Sequence, residues 1–559
     1  MSKLPWRALI VASMLALASG CPSTSGSGGG GRRHTKVPSR ADLEGIERVD
    51  LEIETSAPPA TTYGAPVQHA LGPVEQAIAD ALADQPMEHL PALSRMVREL
   101  AATTPDRLNA PPSLVDGLMA WSGLVDPHPR LSVVELPEDP KECYRAVIPE
   151  CAEAVTSLVG AVKGSLPTTE PVAFGVGVAH LPDGRTRMMV AVLELAVRLD
   201  SMPRSVPAGG SFTVAGRLLG PRRAPVVEVV GPEGHWQRLS TSVSVDGRFS
   251  AALPCADGDG AYQVEILADG PYGIEVAANF PVYCGVAPPE RISVMIEKVD
   301  DSVTADQIAR ANFLYLNEER RARGLPELEW DADAAAVAWG HSKDMHDGGF
   351  VGHVSPTTGD VTARFGRAGL RGAVIRENVA RGYGPRGIHQ SLMGSPGHRE
   401  NVLATDVTHV GIGAVVGEPE TDMVGAPHPV FLTQNFYKKP GAGAPAGDLS
   451  AGLRAKVDER RAAQQLPPVR WSEGLADIAQ RYAEAVGKGR PPPDGYDEEA
   501  FALGYSAVDV HRVSSIDFDA LAGVELWAMP DVEAGMGVVR TKDGGGETFL
   551  VVVLVGERK

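Results

Sequence analysis

The sequence predicts a multidomain α+β protein, in which helical segments and hairpins flank one stretch built of short strands alone. Three observations carry this. The chain has 559 residues, more than a single core organises, and 43% of them are hydrophobic. Apolar spacing changes along it: Leu93, Met96, Val97 and Leu100 recur at helical intervals, whereas Tyr262, Val264 and Ile266 alternate. Turn signals such as Pro182-Asp183-Gly184 and Asp246-Gly247 separate strand-like runs. Net charge is −19, the pI is about 5.2, and no basic patch interleaves with aromatics, which excludes nucleic acid as the expected partner.

Residues 1–20 read as a processing signal. Lys3 and Arg7 precede an apolar run from Ala8 to Ala18 that is too short to span a bilayer comfortably. It ends in Ala18-Ser19-Gly20-Cys21, which resembles a lipoprotein signal-peptidase site. Cys21 would then carry a lipid, anchoring an exported protein to the cell envelope, and in a diderm bacterium to the outer membrane. The alternative is an ordinary secretory signal. Residues 21–40, with four glycines from Gly28 to Gly31, read as a flexible tether.

Residues 41–198 read as helices followed by a hairpin whose strands lie around Phe174–Val178 and Met188–Leu193. Residues 199–288 read as an all-β, Ig-like sandwich: Phe212, Val214 and Leu218 keep mostly alternating order, and Val226–Val230 is a strand of buried type. With Cys21 set aside, Cys143, Cys151, Cys255 and Cys284 remain. Four cysteines allow three connectivities, and local order favours Cys143–Cys151 and Cys255–Cys284.

Residues 304–438 open with a capping box, Thr304 with Gln307, before an apolar stripe of Ala309, Phe313 and Leu316. Asp331 or Asp333 caps the next helix, which Gly348-Gly349 stops. Further on, Ser395-Pro396-Gly397-His398 puts a histidine in the first turn of a helix, with Ser395 as N-cap and Pro396 at the first helical position. The positive end of that helix disfavours charge on His398, leaving a neutral imidazole able to accept a proton or ligate a metal. The ordered set Gly324-Leu325-Pro326, Trp330-Asp331, His341-Ser342, Gly352-His353-Val354-Ser355-Pro356, Glu377-Asn378-Val379-Ala380, Ser395–His398, Val410-Gly411-Ile412-Gly413 and Thr433-Gln434-Asn435-Phe436 resembles the bacterial branch of the CAP superfamily. That superfamily takes in cysteine-rich secretory proteins, antigen 5 and pathogenesis-related class 1 proteins. The resemblance implies a three-layer α-β-α sandwich with a cleft where His353, Glu377 and His398 converge. It departs at Leu392, where tryptophan is common, at Gly394, where asparagine is common, and in lacking a second acidic residue.

Residues 447–559 look like a degenerate repeat of this domain. Asp458-Glu459-Arg460-Arg461-Ala462 echoes Glu318-Glu319-Arg320-Arg321-Ala322, and Gly535-Met536-Gly537 echoes Gly411-Ile412-Gly413. Tyr482 stands in place of His341, and the three cleft motifs are missing. The 41–198 hairpin allows a third, more diverged CAP-like copy.

Two chemistries compete for the polar residues. His353, Glu377 and His398 could bind a ligand, or offer three ligands to a zinc ion with a fourth position for water. They could equally fasten loops by hydrogen bonds. His341 reads as a packed core residue, and Asn378 and Asn401 as turn ties. Ser355 lies two residues from His353, and no nucleophile elbow surrounds it. The leading functional reading is an envelope lipoprotein whose CAP domain is a binding or interaction module for a small-molecule, lipid, glycan or protein ligand. The alternative is a metal-assisted hydrolase or peptidase using His353, Glu377 and His398, and a third is a purely structural envelope protein.

Overall fold

The computed structural model describes residues 36–105, 110–136, 143, 145, 149–164, 166, 171–244, 247–300, 302–418, 428–439, 448–529, 532–543 and 546–558. The processing signal, Cys21 and most of the tether lie outside the described residues. The chain divides into two compact units. One holds the described residues up to Asp360 with Glu377–Ala404 and Gly411–Asn435; the other holds Val361–Arg376, Thr405–Val410 and Phe436–Lys559. The first unit therefore joins the regions read as 41–198 and 199–288 with most of 304–438.

Three four-stranded sheets repeat one order. Glu88–His89, Val172–His180, Thr186–Glu194 and Arg130–Leu136 neighbour each other in that sequence. So do Glu329–Trp330, His409–Val416, Val430–Lys438 and Val374–Gly382, and so do Arg470–Trp471, Glu533–Asp543, Gly546–Arg558 and Tyr505–Ser515. Each two-residue strand leads into a helix, Pro91–Thr103, Ala332–Gly348 or Glu473–Gly487. Each helix lies against a Gly-x-Gly of the next strand in the sheet. A Cβ on Gly177 would sit 2.3 Å from Arg98 N, on Gly413 2.0 Å from Trp339 N, and on Gly537 2.4 Å from Ala479 C. Only glycine lets backbone and backbone approach this closely.

The two later sheets also share an arginine clamp. Arg320 is buried; its Nε donates to Pro326 O and its Nη1 to Val402 O and Ala404 O, each at 2.8 Å. Arg461 is buried in the same way, with Nε on Pro467 O at 2.7 Å and Nη1 on Trp527 O and Met529 O at 2.6 and 2.8 Å. A guanidinium satisfies several carbonyls at once because its donors form a fixed fork.

In chain order, a β-sandwich comes between the first and second of these sheets. Its four-stranded sheet runs Thr241–Val243, Arg248–Pro254, Ser211–Leu218, Val197–Leu199. Its five-stranded sheet runs Trp236–Leu239, Arg223–Val230, Gly260–Gly270, Gly273–Cys284, Ser205–Val206. Phe212, Val214, Val227, Phe249, Tyr262, Val264, Ile266 and Phe280 fill the shared core. Both disulfides, Cys143–Cys151 and Cys255–Cys284, are formed.

Residues 41–198 read as helices followed by a hairpin, and helices Pro73–Leu82, Pro91–Thr103, Pro112–Trp121 and Pro149–Gly164 do precede the hairpin Val172–His180 with Thr186–Glu194; the strand ahead of them is not part of that reading. After one short 3-10 turn at Arg40–Leu43, strand Ile46–Glu54 precedes the α-helices and pairs antiparallel with Arg291–Val299, in register from Ile46↔Val299 to Glu54↔Arg291. Leu51 and Ile53 alternate toward the core, but the partner is some 240 residues away, which no local pattern reveals.

Candidate functional site

The helix Ala332–Gly348 sets the first wall. Asp331 Oδ1 accepts from Ala334 N at 2.8 Å and starts it; Gly349, at φ 64°, ends it. His341 is fully buried on this helix, as read, and its Nε2 donates to Gly352 O at 2.9 Å. One turn on, Asp344 Oδ2 gathers the hydroxyls of Ser355, Thr357 and Thr358 at 2.6, 2.8 and 2.7 Å. Burial pushes this carboxyl up, but the three hydroxyl donors outweigh it and hold it below its ordinary range. Ser355 Oγ also accepts from Thr357 N and Thr358 N, at 3.0 and 2.9 Å. Ser355 is thus a buried loop staple, and it presents the loop that carries His353.

Strand Val374–Gly382 brings Glu377, and the helix Pro396–Leu403 brings His398. His353 Nδ1 lies 3.0 Å from Glu377 Oε1. A carboxylate can only accept, so Nδ1 carries the proton in this pair. With its amide nitrogen turned toward the site, Asn435 donates to Glu377 Oε2 at 3.2 Å. Behind the pair, Asn378 Nδ2 donates to His398 O and to Gln434 Oε1, both at 3.0 Å. Asn401 Nδ2 donates to Asn378 Oδ1 at 2.9 Å and to Glu377 O at 3.2 Å. These amides lock the helix end to the strand, the role read for Asn378 and Asn401.

The His353 and His398 rings are roughly parallel, with centroids 6.5 Å apart. His398 Nδ1 lies 2.7 Å from Ser395 Oγ. Burial, with the charge of His353 adding to it, pushes the His398 imidazole down to about 3, so it is neutral. The sequence-based reason was the helix end; burial is the larger cause. Ser395 holds the N-cap position, yet its hydroxyl makes no cap bond.

His353 thus lies against Glu377, and its ring faces that of His398. The three side chains do not gather as metal ligands do. Among the described residues, the three-membered group with all potential ligand atoms within 4.8 Å of one another is Glu233, His235 and Asp257, on exposed turns of the sandwich. His353, Glu377 and His398 are not such a group in this arrangement.

What sequence reading missed is the sandwich's share in this site. Val354 N donates to Tyr272 O at 2.9 Å, and the Tyr272 and Phe350 rings lie 4.9 Å apart. Asn279 Nδ2 donates to Gly394 O at 3.3 Å. Glu228 and Glu265 stand opposite each other on neighbouring strands, and both are buried although they point away from the sandwich core. Gly397 covers them: its N–H donates to Glu265 Oε2 at 3.3 Å. The one sequence signal was a glutamate within each of two valine- and isoleucine-rich strands.

The description "cysteine-rich secretory protein family", abbreviated CAP, is that of a family model matching residues 313–436 and 454–553. Two Bacillus subtilis proteins are similar. The uncharacterized membrane protein YlbC is 34% identical over 125 residues, 22% of this chain and 32% of that protein. The uncharacterized protein YkwD is 35% identical over 100 residues, 18% of this chain and 39% of that protein. The chain thus spans between about a third and two fifths of these relatives' length. Among solved structures, an extracellular SCP-domain protein from Bacillus anthracis is 19% identical, with a TM-score of 0.21, over 42% of this chain and 87% of that one. An outer surface protein from Borrelia burgdorferi is 18% identical, with a TM-score of 0.21, over 24% of this chain and 96% of that one.

Proposed function

We propose that this chain, which belongs to the bacterial CAP family through residues 313–436 and 454–553, is an exported envelope protein whose His353/Glu377/His398 cleft binds a ligand without transforming it. The observation that carries this reading is how the polar groups are committed. Glu377 is buried against His353 and Asn435, His398 is neutral, and Ser355, the hydroxyl nearest in sequence, is spent on Asp344. Such a site offers fixed donors and acceptors for recognition and no activated nucleophile.

Lipid attachment at Cys21, with outer-membrane placement, belongs to the same proposal. Its support is the signal-like start of the sequence, together with two disulfides that suit an oxidising compartment. No described helix is long and apolar enough to cross a membrane. We read the sandwich as Ig-like and the sheets at 88–194 and 470–558 as CAP-like copies. The repeated strand order and Gly-x-Gly approach support that reading. The last copy keeps the arginine clamp but has Tyr482 in place of His341.

The test uses full chain from residue 22 onward with three probes: phosphatidylethanolamine/phosphatidylglycerol vesicles, soluble muropeptides and casein. Saturable binding of one probe, weakened at least about tenfold by Glu377→Gln with no product by mass spectrometry, is the expected result. Cleavage of a probe that stops in Glu377→Gln and His398→Gln would replace this reading with hydrolysis.

A further inference from the structure

Among the described residues, twelve large hydrophobic side chains are well exposed, and four of them meet at one place. Tyr272 and Ile274 are 38% and 55% exposed, and Val351 and Val354 are 42% and 40%. The first two belong to a hairpin tip of the sandwich, where Gly270 pairs with Gly273 around Pro271 and Tyr272. The other two belong to the loop that carries His353. Tip and loop touch: Val354 N donates to Tyr272 O at 2.9 Å, and a Cβ on Gly273 would stand 3.3 Å from Val354 Cγ2 and 3.5 Å from His353 Cβ. Neither stretch, 270–274 or 350–359, holds an Asp, Glu, Lys or Arg, although 22% of the chain is charged. Glu275, which follows the tip, is paired with Arg222. Single apolar side chains on a surface need no explanation; a contiguous uncharged edge on an acidic chain does.

We propose that this edge is a membrane-contact surface: Tyr272, Ile274, Val351 and Val354 seat the tethered chain on a lipid bilayer, with the rim of the His353 cleft at headgroup level. This rests on the envelope-anchoring part of the proposed function and not on the cleft having a ligand.

Three observations favour a bilayer as the occupant. The first is where the tether ends. Lys36 Nζ and Arg310 Nε both donate to Asp42 Oδ1, at 2.7 and 2.8 Å, and Asp42 and Arg310 are buried. Arg310 lies on helix Ala305–Ala322, so the tether is clamped to the region that carries the His353 loop. Residues 21–35 separate Cys21 from this clamp. Such a segment reaches about 50 Å at full extension, whereas a domain of about 135 residues is roughly 35–40 Å across, so an anchor at Cys21 can lie beneath the patch. The second is charge. A chain of net charge −19 is repelled by an anionic lipid surface, and an uncharged edge approaches it without that cost. The third is chemistry. A tight hairpin tip bearing tyrosine beside isoleucine suits the boundary between headgroups and acyl chains, where the ring is buried and the hydroxyl stays wet.

The test holds the full chain from residue 22 on phosphatidylcholine/phosphatidylglycerol vesicles by a histidine tag and nickel-chelating lipid. The tag replaces the acyl anchor, so the result does not depend on lipid attachment at Cys21 or on a ligand in the cleft. All four cysteines after residue 22 are in disulfides, so one added cysteine takes one environment-sensitive dye. Ile274→Cys and Val351→Cys carry the dye in separate samples. Val243→Cys, on an exposed strand of the sandwich, is the control. On vesicles the dye at 274 and at 351 should brighten at least about twofold and be quenched by nitroxide on the acyl chains, while the dye at 243 does neither. Tyr272→Ser with Val354→Ser should remove the response at 274. Unchanged emission at 274 and 351, an equal response at 243, or survival of the response in the double variant would overturn the proposal. So would brightening that grows with protein concentration in the absence of vesicles, because a second copy would then cover the patch.

Discussion

Gly413→Ala gives the sharpest test of how the cleft is held. The added Cβ would meet Trp339 N at 2.0 Å, Trp339 Cα at 2.3 Å and Ala338 C at 2.5 Å. All three are helix backbone, so no side chain can swing away. Restoring ordinary contact at about 3.4 Å moves the helix Ala332–Gly348 back by about 1.4 Å. That helix carries His341 and Asp344, which pin the His353 loop, and Ser342, whose Oγ donates to Gly413 O at 2.9 Å. Overpacking of this kind costs about 3 kcal/mol, the top of the usual range because the obstacle is rigid. At about 1.4 kcal/mol per tenfold, amide exchange from segments 332–348 and 352–359 should quicken roughly 100-fold. Mass spectrometry of the exchanged full chain measures this without assuming two-state unfolding. Gly340→Ala is the control, on the same helix with open space around its Cβ. It should slow exchange, being worth about 0.5–1 kcal/mol of stability. Exchange in Gly413→Ala within twofold of wild type would refute the argument.

Other outcomes follow from the same structure. Arg320→Met and Arg461→Met each strand three carbonyls and should destabilise their own domains by about 3 kcal/mol or more, read by exchange of the 396–403 and 520–528 segments respectively. Replacing Cys255 and Cys284 by serine frees a link spanning 29 residues. It should lower sandwich stability by about 3–4 kcal/mol, visible as an earlier first thermal transition. Glu265 makes stability pH-dependent: the folded chain keeps a proton to about 7 that the unfolded chain releases near 4.5. Stability should therefore fall as pH rises through that window, by on the order of 3 kcal/mol, and Glu265→Gln should flatten the profile. His398 should become an imidazolium only near pH 3, so ligand affinity should show no midpoint near 6.5 from this residue, as titration calorimetry can check.

The second sheet and its cleft were legible because their motifs are local. Thr304 with Gln307 does form the capping box, at 3.2 and 3.0 Å, and Asp331 rather than Asp333 caps the next helix. Both disulfides followed from proximity in sequence. The glycine echoes at 411–413 and 535–537 fall on strands that take the second place in their sheets, and Gly175-Val176-Gly177 does so in another. What sequence could not give was the company the cleft keeps. Glu265 lies about a hundred residues upstream on a strand whose pattern reports only the sandwich's own core, and Tyr272 lies in the turn that follows that strand. A buried glutamate there is visible as an anomaly, but its partner is set by packing between domains. The neutrality of His398 was anticipated for a lesser reason, because burial is a tertiary property and a helix end is a local one. Strand Ile46–Glu54 was missed on similar grounds.

The main-chain bond between Val354 and Tyr272 bears on how this molecule can be dissected. A fragment starting at 304 would lose the aromatic lid over Phe350 and bare the two glycine faces, Gly352 and Gly397, that now rest on a turn and a strand of the sandwich. Val351 and Val354 are already exposed beside them. Such a piece would present a fresh oily scar next to its recognition groove, and any stickiness it showed would report the scissors rather than the intact polypeptide.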